Sequence, residues 1–139
     1  MNQAEIQSVL PHRPPMLLLD EVEVTPEGRA IGRYRVRGDE FFLQGHYPGN
    51  PVVPGVILCE MMAQTCAVLL VEEIRNGVPY FSGIQKASFK RKVVPGETVE
   101  FHCGIKRKMG HFYFAEGQGS VDGEVCIIEE FSVAIVSKA

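Results

Sequence analysis

The chain has 139 residues, enough for one domain whose core buries roughly two thirds of the unfolded surface. With 45% hydrophobic and 22% charged residues it is neither disordered nor low-complexity, and a net charge of −3 argues against general nucleic-acid affinity. Cys59, Cys66, Cys103 and Cys126 form no CxxC pair. On a helix Cys59 and Cys66 would stand about 10 Å apart along the axis, too far for a disulfide. Four reduced thiols acting as small hydrophobes are expected, with no metal.

In chain order, Ala4 to Leu10 reads as a short helix ended by Pro11. The opening MNQAEIQSVL lacks the basic and then apolar pattern of a secretory signal. After PHRPP, an extended run from Met16 reaches about Val24 as a strand, and Pro26-Glu27-Gly28 makes a turn. Residues 29–37 alternate, placing Ala30, Gly32, Tyr34 and Val36 on one face of a half-exposed antiparallel strand. Residues 38–54 are mainly loop.

From Gly55 to about Arg75 the chain is helical, stopped by Asn76-Gly77, with apolar residues around nearly the whole circumference. Such a helix is buried. Its most apolar run, 66–71, is bounded by Thr65 and Glu72 and falls short of the roughly 20 residues of a membrane span. A cytoplasmic protein without membrane insertion is expected. Strand-like runs near 80–94, 98–107, 111–121 and 124–136 follow, separated by Pro95-Gly96, Met109-Gly110 and Asp122-Gly123. Turns that short make neighbours antiparallel. The expected fold is α+β, a long central helix wrapped by a curved antiparallel sheet of about six strands.

The chemistry concentrates in GHYPGNPVVPGVILCEMMAQ, residues 45–64. Prolines 48, 51 and 54 stiffen the loop that carries His46. Gly55 opens the helix, where unpaired backbone N–H groups and a missing side chain suit a substrate carbonyl. Glu60 sits on the second turn of a helix too apolar to leave water, so burial should raise its carboxyl towards a general acid. The bland readings stand beside these: a histidine in a Gly/Pro loop is more often a turn partner than a catalyst, and Glu60 could belong to a buried polar network. His12, His102 and His111 are scattered, and structural roles are expected for each.

Residues 86–108 carry seven Lys and Arg against two Glu, a local charge of +5 within a chain of net charge −3. An acidic partner or solvated strand edges would each account for it.

Three blocks resemble the FabZ-type 3-hydroxyacyl-acyl carrier protein dehydratases, enzymes of the hot-dog fold. They are Leu10-Pro11-His12-Arg13-Pro14 leading into Leu17-Leu18-Leu19-Asp20, the stretch 45–64 with its fourteen residues between His46 and Glu60, and FSGIQKASFKRKVVPGETVEF at 81–101. The middle block is similar to the family's GHFPxxPVMPG loop and E-A-x-A-Q helix. Together the blocks cover the chain from about Ile6 to Val136, so the resemblance implies one hot-dog domain over 1–139.

The resemblance implies His46 as base, Glu60 as acid and the backbone N–H of Gly55 as carbonyl donor, with Val56 and Gln64 among the substrate-side residues. Tyr80 and Phe81 are the expected lining or gate of an apolar tunnel. In such enzymes His and Glu of one site come from different subunits, so a homodimer, or a trimer of dimers (hexamer), is expected. The implied partner is acyl carrier protein bearing a 3-hydroxyacyl phosphopantetheine thioester, docked on Lys86, Lys90, Arg91 and Lys92. No cofactor is implied.

Ser88 and Lys92 stand where the family usually has Arg or Lys and Pro; Tyr47, Val53 and Met61 replace Phe, Met and Ala. Glu60 and Ala63 differ from the Asp and Trp usual in FabA-type dehydratase/isomerases, which favours plain dehydration. The alternatives are a hot-dog acyl thioesterase, or a dehydratase or carrier-binding subunit of a specialised lipid or polyketide pathway.

Overall fold

A computed structural model describes residues 1–47 and 49–137. Asn2 opens helix α1 (Gln3–Val9) with a reciprocal cap: its side chain accepts from the Glu5 N–H at 2.9 Å, and Glu5 accepts from the Asn2 N–H at 3.0 Å. The strand expected from Met16 is shorter, and β1 covers only Glu21–Val24. The reason is a side chain. The Leu18 N–H donates to Gln64 Oε1 at 2.9 Å and the Met16 carbonyl accepts from Gln64 Nε2 at 2.8 Å. Those backbone groups are thus committed to the helix rather than to a strand ladder.

Strands β2 (Ala30–Arg35), β3 (Gly77–Phe89), β4 (Thr98–Met109), β5 (Phe112–Val121) and β6 (Glu124–Ser137) complete an antiparallel sheet in the order β1-β2-β4-β5-β6-β3. The hairpin β5–β6 turns through Asp122 and Gly123, at φ 50° and 82°, a left-handed pair that suits the twist of adjoining strands. β3 begins earlier than expected, and the chain leaves the sheet after Phe89. Both β1 and β3 are sheet edges.

Helix α2 (Gly55–Ala67) packs against β2, β3, β4, β5 and β6, with Leu58, Met61, Met62, Ala63 and Cys66 buried. Close approach is needed where it crosses β2: a Cβ at Gly32 would lie 2.3 Å from Thr65 Oγ1. The single helix expected to Arg75 is interrupted. A 3₁₀ turn at Val68–Leu70 separates α2 from α3 (Val71–Arg75). The tighter winding keeps Val68, Leu70 and Ile74 all buried as the chain leaves the sheet. Gly55–Arg75 is long and apolar enough to cross a membrane by length and composition, with mean hydropathy 1.6 over an 18-residue window, where the run at 66–71 alone is not. Here 61% of that apolar window is buried within the chain itself, which is what a sheet-wrapped core helix requires. The arrangement is the hot-dog fold, and all four cysteines are free and buried in it.

Candidate active site

The loop before α2 fixes His46 through backbone geometry. Gly45, Tyr47 and Gly49 all have positive φ, at 79°, 55° and 83°, and the Asn50 N–H closes a turn onto the Tyr47 carbonyl at 2.8 Å. Val53 N–H then bonds to the Val93 carbonyl at 2.9 Å and ties the loop to the segment after β3. Pro48, one of the prolines expected to stiffen this loop, lies outside the described residues.

His46 Nδ1 lies 2.8 Å from the Val52 carbonyl oxygen. A carbonyl can only accept, so Nδ1 carries a hydrogen, and in the neutral ring Nε2 then keeps its lone pair. The arrangement supplies a base at Nε2. The Tyr47 ring lies against the imidazole, centroids 4.3 Å apart at 31°.

At the helix start, Ile57 and Leu58 N–H both bond to the Pro54 carbonyl, while the N–H groups of Gly55 and Val56 have no acceptor among the described residues. A Cβ on Gly55 would meet the Phe89 ring at 2.9 Å. The glycine is therefore also required by the ring that β3 lays across the helix start, a packing reason beside the expected one of substrate approach.

Glu60 faces a small cavity of about 60 Å³ with His12, Ala63, Gln64, Ala67, Pro79, Tyr80, Phe81 and Val133. Gln64, one helical turn on, donates to Glu60 Oε2 at 2.9 Å. The structure thus brings Glu60, Gln64, Tyr80 and Phe81 together. Phe81 is braced edge-on by Phe131, centroids 5.8 Å apart. His46 is not among them: among the described residues no hydrogen bond, ion pair or shared cavity joins it to Glu60 within one chain.

Two further residues lie against α2. His12, expected to be structural, stands with Nε2 3.5 Å from Glu60 Oε2. Glu129 on β6, not singled out at all, is 1% exposed beside Cys59, and neither of its oxygens has a hydrogen-bond partner among the described residues. Burial pushes its carboxyl up to about 8, opposed by the neighbouring Cys59 thiol and, to a lesser degree, reinforced by the Glu60 charge. Glu129 is thus the more deeply buried of the two carboxyls, the Glu60 side chain keeping 23% exposure. Cys59 is in turn pushed up to about 12 by burial and by Glu129, and it stays a thiol.

Of the four basic residues expected to dock a partner, Lys86, Lys90 and Lys92 are exposed and outside any salt bridge among the described residues. Arg91 is committed. It holds Glu97 through two bonds of 3.0 and 2.6 Å and Glu124 through a third of 2.8 Å.

Residues 10–130 match the family model described as a FabA-like domain. The chain belongs to the FabA-like family. Within it, the chain is 39% identical over 137 residues to a Clostridium perfringens protein named 3-hydroxyacyl-[acyl-carrier-protein] dehydratase FabZ, covering 97% of this chain and 99% of that one. Relatives with the same name in Clostridium novyi and Acidiphilium cryptum are each 41% identical, over 94% and 97% of this chain and 94% and 85% of theirs. The fold is also that of a chain in the dehydratase heterocomplex ApeI:P from Xenorhabdus doucetiae, with TM-score 0.82 and 21% identity over 96% of this chain and 91% of that one. A hypothetical thioesterase from Streptococcus pneumoniae matches at TM-score 0.65 and 12% identity, over 96% of both chains. Identities this low carry the fold and nothing further.

Proposed function

We propose that this FabA-like protein is a 3-hydroxyacyl-acyl carrier protein dehydratase of fatty acid biosynthesis, one hot-dog domain over residues 1–139 acting in the cytoplasm. The observation that carries the reading is relatedness of 39% or more along nearly the full length of both chains to proteins named for that reaction. The site chemistry supports it. His46 Nε2 removes the C2 proton of the 3-hydroxyacyl thioester. The charge that develops on the thioester oxygen falls to the free N–H groups of Gly55 and Val56, where a preorganised donor gives several kcal/mol, about 3, of transition-state stabilisation. Glu60 protonates the departing 3-hydroxyl, and the product is a trans-2-enoyl thioester and water.

A second subunit is part of this proposal. Within one chain no hydrogen bond, ion pair or shared cavity joins His46 to Glu60 among the described residues, and β3, paired with β6 on one side, is a 13-residue edge carrying exposed Tyr80, Ile84 and Phe89. Val56 and Tyr47, at 72% and 61% exposure, add exposed apolar side chains at the helix start and in the His46 loop. A second copy paired along β3 would cover these side chains and bring the partner's loop towards Glu60. Lys86, Lys90 and Lys92 then offer positive charge to an acidic carrier.

The test is reversible hydration of a crotonyl-carrier thioester by purified protein across acyl chain lengths. Formation of the 3-hydroxyacyl thioester is expected. Release of free thiol without hydration would select acyl-thioester hydrolysis instead.

A further inference from the structure

Two side-chain nitrogens stand near one oxygen of Glu60. Gln64 Nε2 donates to Oε2 at 2.9 Å, and His12 Nε2 stands 3.5 Å from the same atom. Among the described residues no donor reaches Oε1. His12 comes from the segment between α1 and β1, far from Glu60 in sequence, and shares its cavity with Glu60, Gln64, Tyr80 and Phe81. Its other ring nitrogen, Nδ1, is buried and has no hydrogen-bond partner among the described residues. Because its own chain already seals Nδ1 from the surface, a second subunit has no route to it.

The ring has three forms, and the surroundings discriminate among them. An imidazolium carries two N–H donors and would leave the Nδ1 hydrogen buried and unpaired. The neutral Nδ1–H tautomer has the same orphan and also turns the Nε2 lone pair towards a carboxylate oxygen. The neutral Nε2–H tautomer leaves only an acceptor without a partner and carries its hydrogen on the nitrogen that stands 3.5 Å from Oε2. This form carries the smaller penalty, a buried acceptor rather than a buried donor without a partner.

We propose that His12 is a positioning residue for Glu60: held neutral with its Nε2 hydrogen on Oε2, it fixes, together with Gln64, which carboxyl oxygen accepts and leaves Oε1 to carry the acid proton. The inference rests on the dehydratase reading above. In that reaction the C2 proton passes to His46 Nε2, the electron pair left behind forms the C2=C3 bond, and the C3–O bond breaks. The hydroxyl departs as water with the hydrogen from Oε1. The negative charge then left on the carboxylate is met at Oε2 by the Gln64 N–H, already bonded at 2.9 Å, and by the His12 N–H as its 3.5 Å separation closes. A separation of 3.5 Å is long for a hydrogen bond, and such contacts commonly tighten once substrate is bound.

Two variants and one spectrum test this. His12→Phe keeps the ring volume without the donor; kcat is expected to fall about 10- to 100-fold, part of the ~10²–10⁴ that general acid catalysis supplies, with KM nearly unchanged. His12→Gln places an amide N–H near the former Nε2 and should recover most of the loss. A His12→Phe enzyme with wild-type kcat, or a His12→Gln enzyme as slow as His12→Phe while both are folded, overturns the proposal. Nitrogen-15 correlation spectra of the wild-type chain, labelled at histidine, read the tautomer without any substitution. His12 is expected as neutral Nε2–H near neutral pH; an Nδ1–H tautomer or an imidazolium there overturns the proposal whatever the variants do. Failure of the dehydratase reading is distinct: the wild-type protein would then be inactive in the hydration assay. Failure of this inference alone leaves the wild type active and the phenylalanine variant undiminished.

Discussion

Gln64 holds Glu60 from one helical turn away and is itself held by the segment that α2 packs against. Its Nε2 donates to Glu60 Oε2 and to the Met16 carbonyl, at 2.9 and 2.8 Å, while its Oε1 accepts from the Leu18 N–H at 2.9 Å. With three of its four hydrogen-bond valences used, it is 1% exposed. The carboxylate is therefore oriented by a rotamer that the N-terminal segment locks in place.

Gln64→Leu should consequently affect both stability and rate. The Leu18 N–H and Met16 carbonyl would be left unpaired, costing about 2–4 kcal/mol in urea denaturation. In the folded fraction kcat should fall more than KM rises. Unchanged stability would mean that these bonds contribute nothing in solution.

Glu129 makes stability depend on pH. Its carboxyl is pushed up to about 8 by burial, against an ordinary value of 4.5, so the folded chain retains a proton that the unfolded chain gives up. The unfolded state binds fewer protons across that window, so stability falls as pH rises from about 4.5 to about 8 and then levels off. Glu129→Gln should flatten this slope and raise stability above pH 8 by a few kcal/mol, about 2 or more, as measured by denaturation at a series of pH values. A wild-type slope retained in the variant would place the titration elsewhere.

The basic surface divides by what its residues already hold. Lys90→Glu with Lys92→Glu should weaken use of carrier-bound substrate by about tenfold while leaving a short pantetheine analogue within about twofold of wild type. Equal loss on both substrates would count against carrier docking there. Arg91→Glu should instead lower stability, because Glu97, kept below the usual carboxylate range chiefly by the Arg91 guanidinium, loses its partner along with Glu124.

Much of this architecture was legible from local chemistry. The glycines at 96, 110 and 123 mark the β-turns of the second half, with φ of 93°, 61° and 82°, and the all-round apolar character of residues 55–75 announced a helix that a sheet must wrap. The 3₁₀ turn at 68–70 was not legible, since it reflects how the helix exits the sheet rather than any residue preference. His12 was missed because its contact with Glu60 spans the fold, and periodicity gives no information about such pairs. Glu129 could have been found: in the run Ile127 to Phe131, period-2 alternation puts Ile127, Glu129 and Phe131 on one face, and that face is the core. Arg91 read as free charge because Glu97 and Glu124 meet it only once the chain is folded.

The central claim, that His46 of one subunit works with Glu60 of another, is tested most directly by mixing two inactive variants. His46→Ala and Glu60→Gln should each abolish hydration of crotonyl-carrier thioester while remaining folded and assembled. Subunits exchanged at equal ratio then form mixed dimers in which one site has lost both groups and the other retains both. About one quarter of wild-type activity should return, since half the dimers are mixed and one of their two sites is intact. Exchange that demonstrably occurs without recovery of activity would contradict the shared site.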